Sequence, residues 1–249
     1  YARSGNVLRY QGDHEIAVRD FRKALEWNPK NVEALVGMGA SLRQMGEKDE
    51  AKAFFLRAIE VAPTSAPAHE GLGNLLAQQG RFQEAADCLR EALRLDPALA
   101  SAHFRLGVVL LDLNRLEDAK RHLAEAVRLE PTVAQTFYAL GAVLSREGKP
   151  SEAAAQYRRA LRLDSNLVLA LADLASILAT SSDPSLRNGK EAVELATRAS
   201  DLTHRQDPGI QLVLSEAYAE AGRLGDAVFV AERVLQTASA QGDPRLIGL

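Results

Sequence analysis

The residues best suited to chemistry in this sequence are five histidines, a single cysteine and a short glycine pair. His69 and His103 hold the same place 34 residues apart, and two stacked imidazoles can in principle share a metal ion. A stable site needs three or four ligands at set spacing, and no third ligand accompanies them, so both are expected to pack half-buried between helices. His14, His122 and His204 lie on turns or second helices without an evident partner. Cys88 sits beside Asp87 and Arg90. A thiol nucleophile requires a positioned base and a lowered pKa, and its neighbourhood supplies neither. Gly71-Leu-Gly73 opens like a phosphate-binding loop, but no strand precedes it and the third glycine is missing. Asp and Glu are numerous, yet nothing in their spacing makes two converge. No catalytic residue, cofactor or metal is expected, and the chain reads as a non-enzyme.

Composition sets the frame for that conclusion. Of 249 residues, 47% are apolar and 25% charged, the balance of a folded protein. A net charge of −3 offers no bulk attraction to nucleic acid or to an acidic membrane, so neither is expected as a partner. One cysteine excludes an internal disulfide framework. That suits a cytoplasmic location, and an extracytoplasmic one stays compatible if the chain is joined to a membrane domain. No apolar run is long enough to span a bilayer, so membrane contact is expected only through such a neighbouring domain.

The elements that must position these residues repeat. Pro29, Pro63, Pro97 and Pro131 are each 34 residues apart, a period that marks stacked repeats. Gly5, Gly39, Gly73, Gly107 and Gly141 form a second column, Ala17, Ala51, Ala85, Ala119, Ala153, Ala192 and Ala227 a third, and Ala24, Ala58, Ala92, Ala126, Ala160 and Ala199 a fourth. Within each period, apolar residues recur at helical spacing in two blocks, separated by residues such as Gly80, Asn114 and Gly148 that tolerate left-handed backbone. Each unit therefore reads as helix, tight turn, helix, closed by Asn28-Pro29 or Asp96-Pro97. The units are 1–31, 32–65, 66–99, 100–133, 134–167, 168–207 and 208–241, with the first beginning in mid-repeat and 242–249 expected to start a capping helix. Five extra residues fall in the segment 181–189, where they lengthen a turn. The whole is expected to be one domain.

These columns resemble the tetratricopeptide repeat. Leu35, Gly39, Leu42, Ala51, Phe55, Ala58 and Pro63 carry its signature, as do Phe137, Leu140, Gly141, Leu144, Ala153, Tyr157 and Ala160 with Ser165 in place of proline. The resemblance implies an all-α fold, a right-handed α-solenoid of stacked helix-turn-helix units whose first helices line a concave groove. It implies a scaffold or adaptor that binds a peptide or helix of a partner protein there. The alternative it suggests is the substrate-recruiting region of a larger enzyme such as a glycosyltransferase. The lysine and asparagine clamp by which some members hold a peptide carboxylate is absent, since Asn6, Gly37, Pro67 and Gly71 stand at the nearest places.

On that face, the first three units contribute a polar wall of Asn6, Arg9, Tyr10, Glu33, Arg43, Gln44, Glu70, Asn74 and Gln78. The next two contribute Phe104, Val108, Leu111, Tyr138 and Ala142, with Arg105 and Arg146 at the edge. The core accounts for Leu106 and Leu110 but not for Phe104, Val108 and Leu111, and contiguous apolar surface usually marks an interaction site. The partner-binding residues expected are therefore Phe104, Arg105, Val108, Leu111, Tyr138 and Arg146, with Asn6, Arg43 and Asn74 on the polar wall. Self-association through the same strip is the competing use. Trp27, at the end of a second helix, is expected to pack at a unit junction.

Overall fold

The computed structural model describes residues 1–241, with side chains through residue 236. The expected capping segment 242–249 lies outside the described residues. The chain divides into two compact units, Tyr1–Glu130 and Pro131–Leu249. The fold class is all-α, each unit a stack of helical hairpins in α-solenoid fashion. In the first unit the hairpins are α1 (Ala2–Gln11) with α2 (His14–Trp27), α3 (Val32–Met45) with α4 (Lys48–Val61), α5 (Ala66–Gln78) with α6 (Phe82–Leu95), and α7 (Ala100–Asp112) with α8 (Leu116–Leu129). The second unit holds α9 (Ala134–Arg146), α10 (Pro150–Leu163), α11 (Val168–Thr180), α12 (Gly189–Leu202), α13 (Pro208–Glu220) and α14 (Leu224–Gln241).

The helices stop and start where local chemistry requires it. The turns inside the hairpins pass through left-handed backbone, at Gly80 (φ 74°) and, with a side chain that tolerates it, at Asn114 (φ 56°). Between hairpins the side chains of Asn28, Asp96 and Asp164 accept hydrogen bonds from the amides of Lys30, Ala98 and Asn166, a side-chain turn that competes with helix and ends it. Asn31 and Asp207 then cap α3 and α13 by accepting from Ala34 and Ile210.

What joins the helices of each of the first five hairpins is one large side chain set over one glycine. Phe21, Phe55, Leu89, Leu123 and Tyr157 occupy the same place in successive hairpins and are no more than 1% exposed. Each stands against a glycine of the preceding helix. A Cβ placed on Gly39 would lie 2.9 Å from the Phe55 ring, one on Gly107 2.5 Å from Leu123 Cγ, and one on Gly141 2.6 Å from the Tyr157 ring. The two phenylalanines reach further. Phe21 also fills the space beside Gly37 of the next hairpin, and Phe55 that beside Gly71. Within the first unit the first helices touch in series, α1 with α3, α3 with α5 and α5 with α7, and so form one wall.

Two expectations change here. Trp27 is 84% exposed rather than packed at a junction; it is the last residue of α2, and the chain leaves the helix in extended backbone at Asn28. The segment 181–188 does more than lengthen a turn. The Asn188 amide donates to the Leu178 carbonyl, the Asn188 side chain caps α12, and Gly189 lies so close to the α13–α14 turn that a Cβ would be 2.5 Å from the Ala221 nitrogen.

The glycine contact predicts a measurable asymmetry. Gly107→Ala should destabilise the protein by about 1–3 kcal/mol in urea unfolding, since a branched carbon rather than a flexible chain end must move. Gly225→Ala, with open space around the new methyl group, should be neutral or stabilise by up to about 1 kcal/mol through helix propensity. Equal losses would mean that the glycine column is not a contact.

Candidate functional site

The wall of first helices in the first unit encloses a cavity of about 630 Å³, lined among others by Asn6, Arg9, Tyr10, Glu33, Gly37, Ala40, Arg43, Glu70, Gly71 and Asn74. A second concavity of about 190 Å³ shares Arg43 and Asn74 and adds Gln78, Arg105, Val108 and Asp112. The two form one trough. Its floor is bare at Gly37 and Gly71, for the reason already met: phenylalanine takes the room that side chains there would need. Arg105 stands in the same register one repeat on, where the corresponding core residue is the smaller Leu89, and so the trough gains a guanidinium at that level.

The polar groups of the trough are unevenly satisfied. Asn6 donates to the Glu33 carboxylate at 2.6 Å. Arg9 lies over the Tyr10 ring at 4.2 Å and Arg105 over the Phe104 ring at 5.3 Å. Arg9 Nε and Asn74 Oδ1 are both buried and have no hydrogen-bond partner among the described residues. Burial holds the Arg43 guanidinium below its ordinary value, and the like charges of Arg105 and Arg9 push the same way, with Glu70 only partly offsetting them. Arginine stays charged throughout. Arg43 thus senses both neighbouring cations.

The structure brings Asn6, Arg43 and Asn74 together with Arg105 and Val108. Phe104 and Val108 are half-buried. Leu111, expected on the open side, is only 8% exposed and offers no free face. It shares the register of Arg9 and Arg43, and helical angle alone does not separate a covered position from an open one. The convergence of Arg9, Arg43 and Arg105 was not anticipated. The 34-residue register that pairs Arg9 with Arg43 was its only signal.

In the second unit, Tyr138 belongs to an internal arrangement that the sequence did not suggest. Its ring lies 5.7 Å from that of Tyr157, and the hydroxyls of both donate toward the Asp173 carboxylate. Burial and the Asp173 charge raise both phenols above their ordinary value. Asp173 itself is raised by burial and lowered again by the two donors. Arg146 ends α9 on an exposed turn of the helix.

His69 Nε2 is 3.0 Å from the Pro63 carbonyl and His103 Nε2 is 3.1 Å from that of Pro97, so each imidazole closes the turn before its own helix. His103 Nδ1 and His122 Nδ1 share a hydrogen bond at 3.0 Å. Among the described residues no three histidine, cysteine or carboxylate side chains gather as metal ligands. Burial raises the Cys88 thiol, aided by Asp87 and Glu84, which works against nucleophilicity. No helix among the described residues is long and apolar enough to cross a membrane.

Burial, then His103, lowers His122 from 6.5 to about 4. The unfolded chain therefore binds this proton first, and the contribution to stability is full above pH 6.5 and lost as pH falls through about 4. His122→Gln keeps a donor for His103 and should flatten that part of the stability profile in denaturant melts. An unchanged slope would place the titration elsewhere.

The family described as the Cilia and flagella-associated protein 70 C-terminal domain matches residues 1–207. Among solved structures, the chain is similar to YrrB, a TPR protein with an unusual peptide-binding site, at 25% identity and a TM-score of 0.59, covering 75% of this chain and 93% of that one. It is similar to PilF of Pseudomonas aeruginosa at 24% identity and a TM-score of 0.71, over 83% and 91% of the two chains. A chain of the APC/C hetero-tetramer Cut9-Hcn1 gives 17% identity and a TM-score of 0.77, over 95% of this chain and 46% of that one. These last two speak to the fold alone. No curated protein sequence matches the chain significantly.

Proposed function

Because the chain belongs to the tetratricopeptide-repeat family, in the branch described as the Cilia and flagella-associated protein 70 C-terminal domain, we propose that it acts as a non-catalytic scaffold whose first unit holds an extended peptide segment of a partner protein. The repeat architecture is one used for protein interaction. The finer reading rests on the trough of the first unit. It is a concavity of ligand size, with a bare floor that lets a backbone approach and walls whose polar atoms are not used up internally. An extended strand of peptide supplies amide and carbonyl groups along its whole length, which suits a row of asparagine and arginine side chains. Val108, half-buried in the smaller part of the trough, provides an apolar seat for a ligand side chain. YrrB, the structural relative characterised by a peptide-binding site, is consistent with this use.

The test is a peptide-display selection against the intact chain, followed by titration of the selected peptides into variants. Ala40→Trp places a large ring in the cavity that Ala40 lines and should weaken binding about tenfold or more, or about 1.4 kcal/mol, with unchanged circular dichroism. Leu56→Trp, at an exposed position away from that lining, should have no effect. Full affinity in a folded Ala40→Trp protein would remove the peptide from the trough.

A further inference from the structure

Resting on that reading of the trough, we infer that its preferred occupant is an acidic peptide segment, held by Arg9, Arg43 and Arg105 through the side-chain carboxylates of internal Asp or Glu residues. Arg43 lines both parts of the trough, Arg9 the larger part and Arg105 the smaller, so a carboxylate at Arg43 shares the trough with the other two guanidiniums. None of the three arginines forms an ion pair among the described residues. On α6 and α8 arginines are matched locally, as in Arg81 with Glu84, Arg94 with Glu91 and Arg128 with Glu125. Exposed pairs of that kind occupy their cations on the outer surface. Arg9 and Arg105 instead lie over ring systems, while Arg43, half-buried and only partly offset by Glu70, gains most from a counter-ion brought by a ligand.

The neighbouring groups choose between anions. Asn74 Oδ1 is buried without a donor, and a peptide N–H supplies one, whereas a phosphodiester backbone has none to give. Glu33, Glu70 and Asp112 also line the trough, and their charges oppose a uniform polyanion such as nucleic acid. They tolerate isolated carboxylates that fall opposite the arginines. The recognition is thus a spaced one, with acidic residues set among neutral ones along an extended chain.

The experiment uses the intact chain and fluorophore-labelled, acetylated and amidated short peptides of alternating Leu and Glu, with a Leu-Gln counterpart. The Glu peptide should bind at least about tenfold more tightly than the Gln peptide. Arg43→Leu should abolish the difference, and Arg43→Glu should reverse it toward a Leu-Lys peptide, each with unchanged circular dichroism. Equal binding of Glu and Gln peptides, or no binding of the Glu peptide, overturns the acidic preference. It leaves the trough reading standing if neutral display-selected peptides still lose affinity in Ala40→Trp. Tighter binding of single-stranded oligothymidylate than of the Glu peptide, lost in Arg43→Leu, would overturn it in favour of a phosphate ligand. Dependence on a free C-terminal carboxylate would overturn the assignment to internal side chains.

Discussion

The structure depends on one contact, made again in hairpin after hairpin: a large apolar side chain of the second helix seated over a glycine of the first. Burying a Phe or Leu in this way contributes about 1.5–3 kcal/mol per side chain, but its consequence is geometric before it is energetic. The glycine sets how near the two helix axes come, and the knob sets which faces meet. Phe21 and Phe55 carry the contact into the following hairpin, against Gly37 and Gly71, so the same side chains that close one repeat also position the next.

The trough follows from that packing. Where the knob is phenylalanine, the wall facing the groove must lack side chains, and its floor is open at Gly37 and Gly71. Where the knob is Leu89, there is room at the equivalent place for Arg105. A change in core volume is thereby converted into a change in surface charge. The second unit uses its knob differently. Tyr157 keeps the ring over Gly141 but turns a hydroxyl to Asp173, which also engages Tyr138. A carboxylate taken partly out of water is costly unless hydrogen bonds satisfy it, and two phenols in one cluster supply them.

The many surface ion pairs matter less than their number suggests. Those between residues three apart on α6 and α8 are largely solvent-exposed, and such pairs are worth little individually. Their effect is to keep the outer faces soluble and locally neutral. In the trough, by contrast, Arg43 is half-buried, and desolvation makes its interactions stronger.

Much of this architecture was legible in the residues. A period of 34 and the columns of glycine and alanine determine helices, turns and their order, because local backbone preference and helical periodicity act over a few residues and need no distant partner. The polar wall of Asn6, Arg43 and Asn74 was readable for the same reason, as a helix face. Depth was not. Whether Leu111 is covered, whether Trp27 projects from its helix end, and whether His122 reaches His103 depend on how far one helix stands from another, and periodicity supplies an angle about an axis without a distance between axes. The meeting of Arg9 and Arg43 with Arg105 was decided in the same way. Side chains from three helices converge only once Phe55 and Leu89 have set the spacing of the wall, and that spacing is a property of packed volumes rather than of any single stretch of sequence.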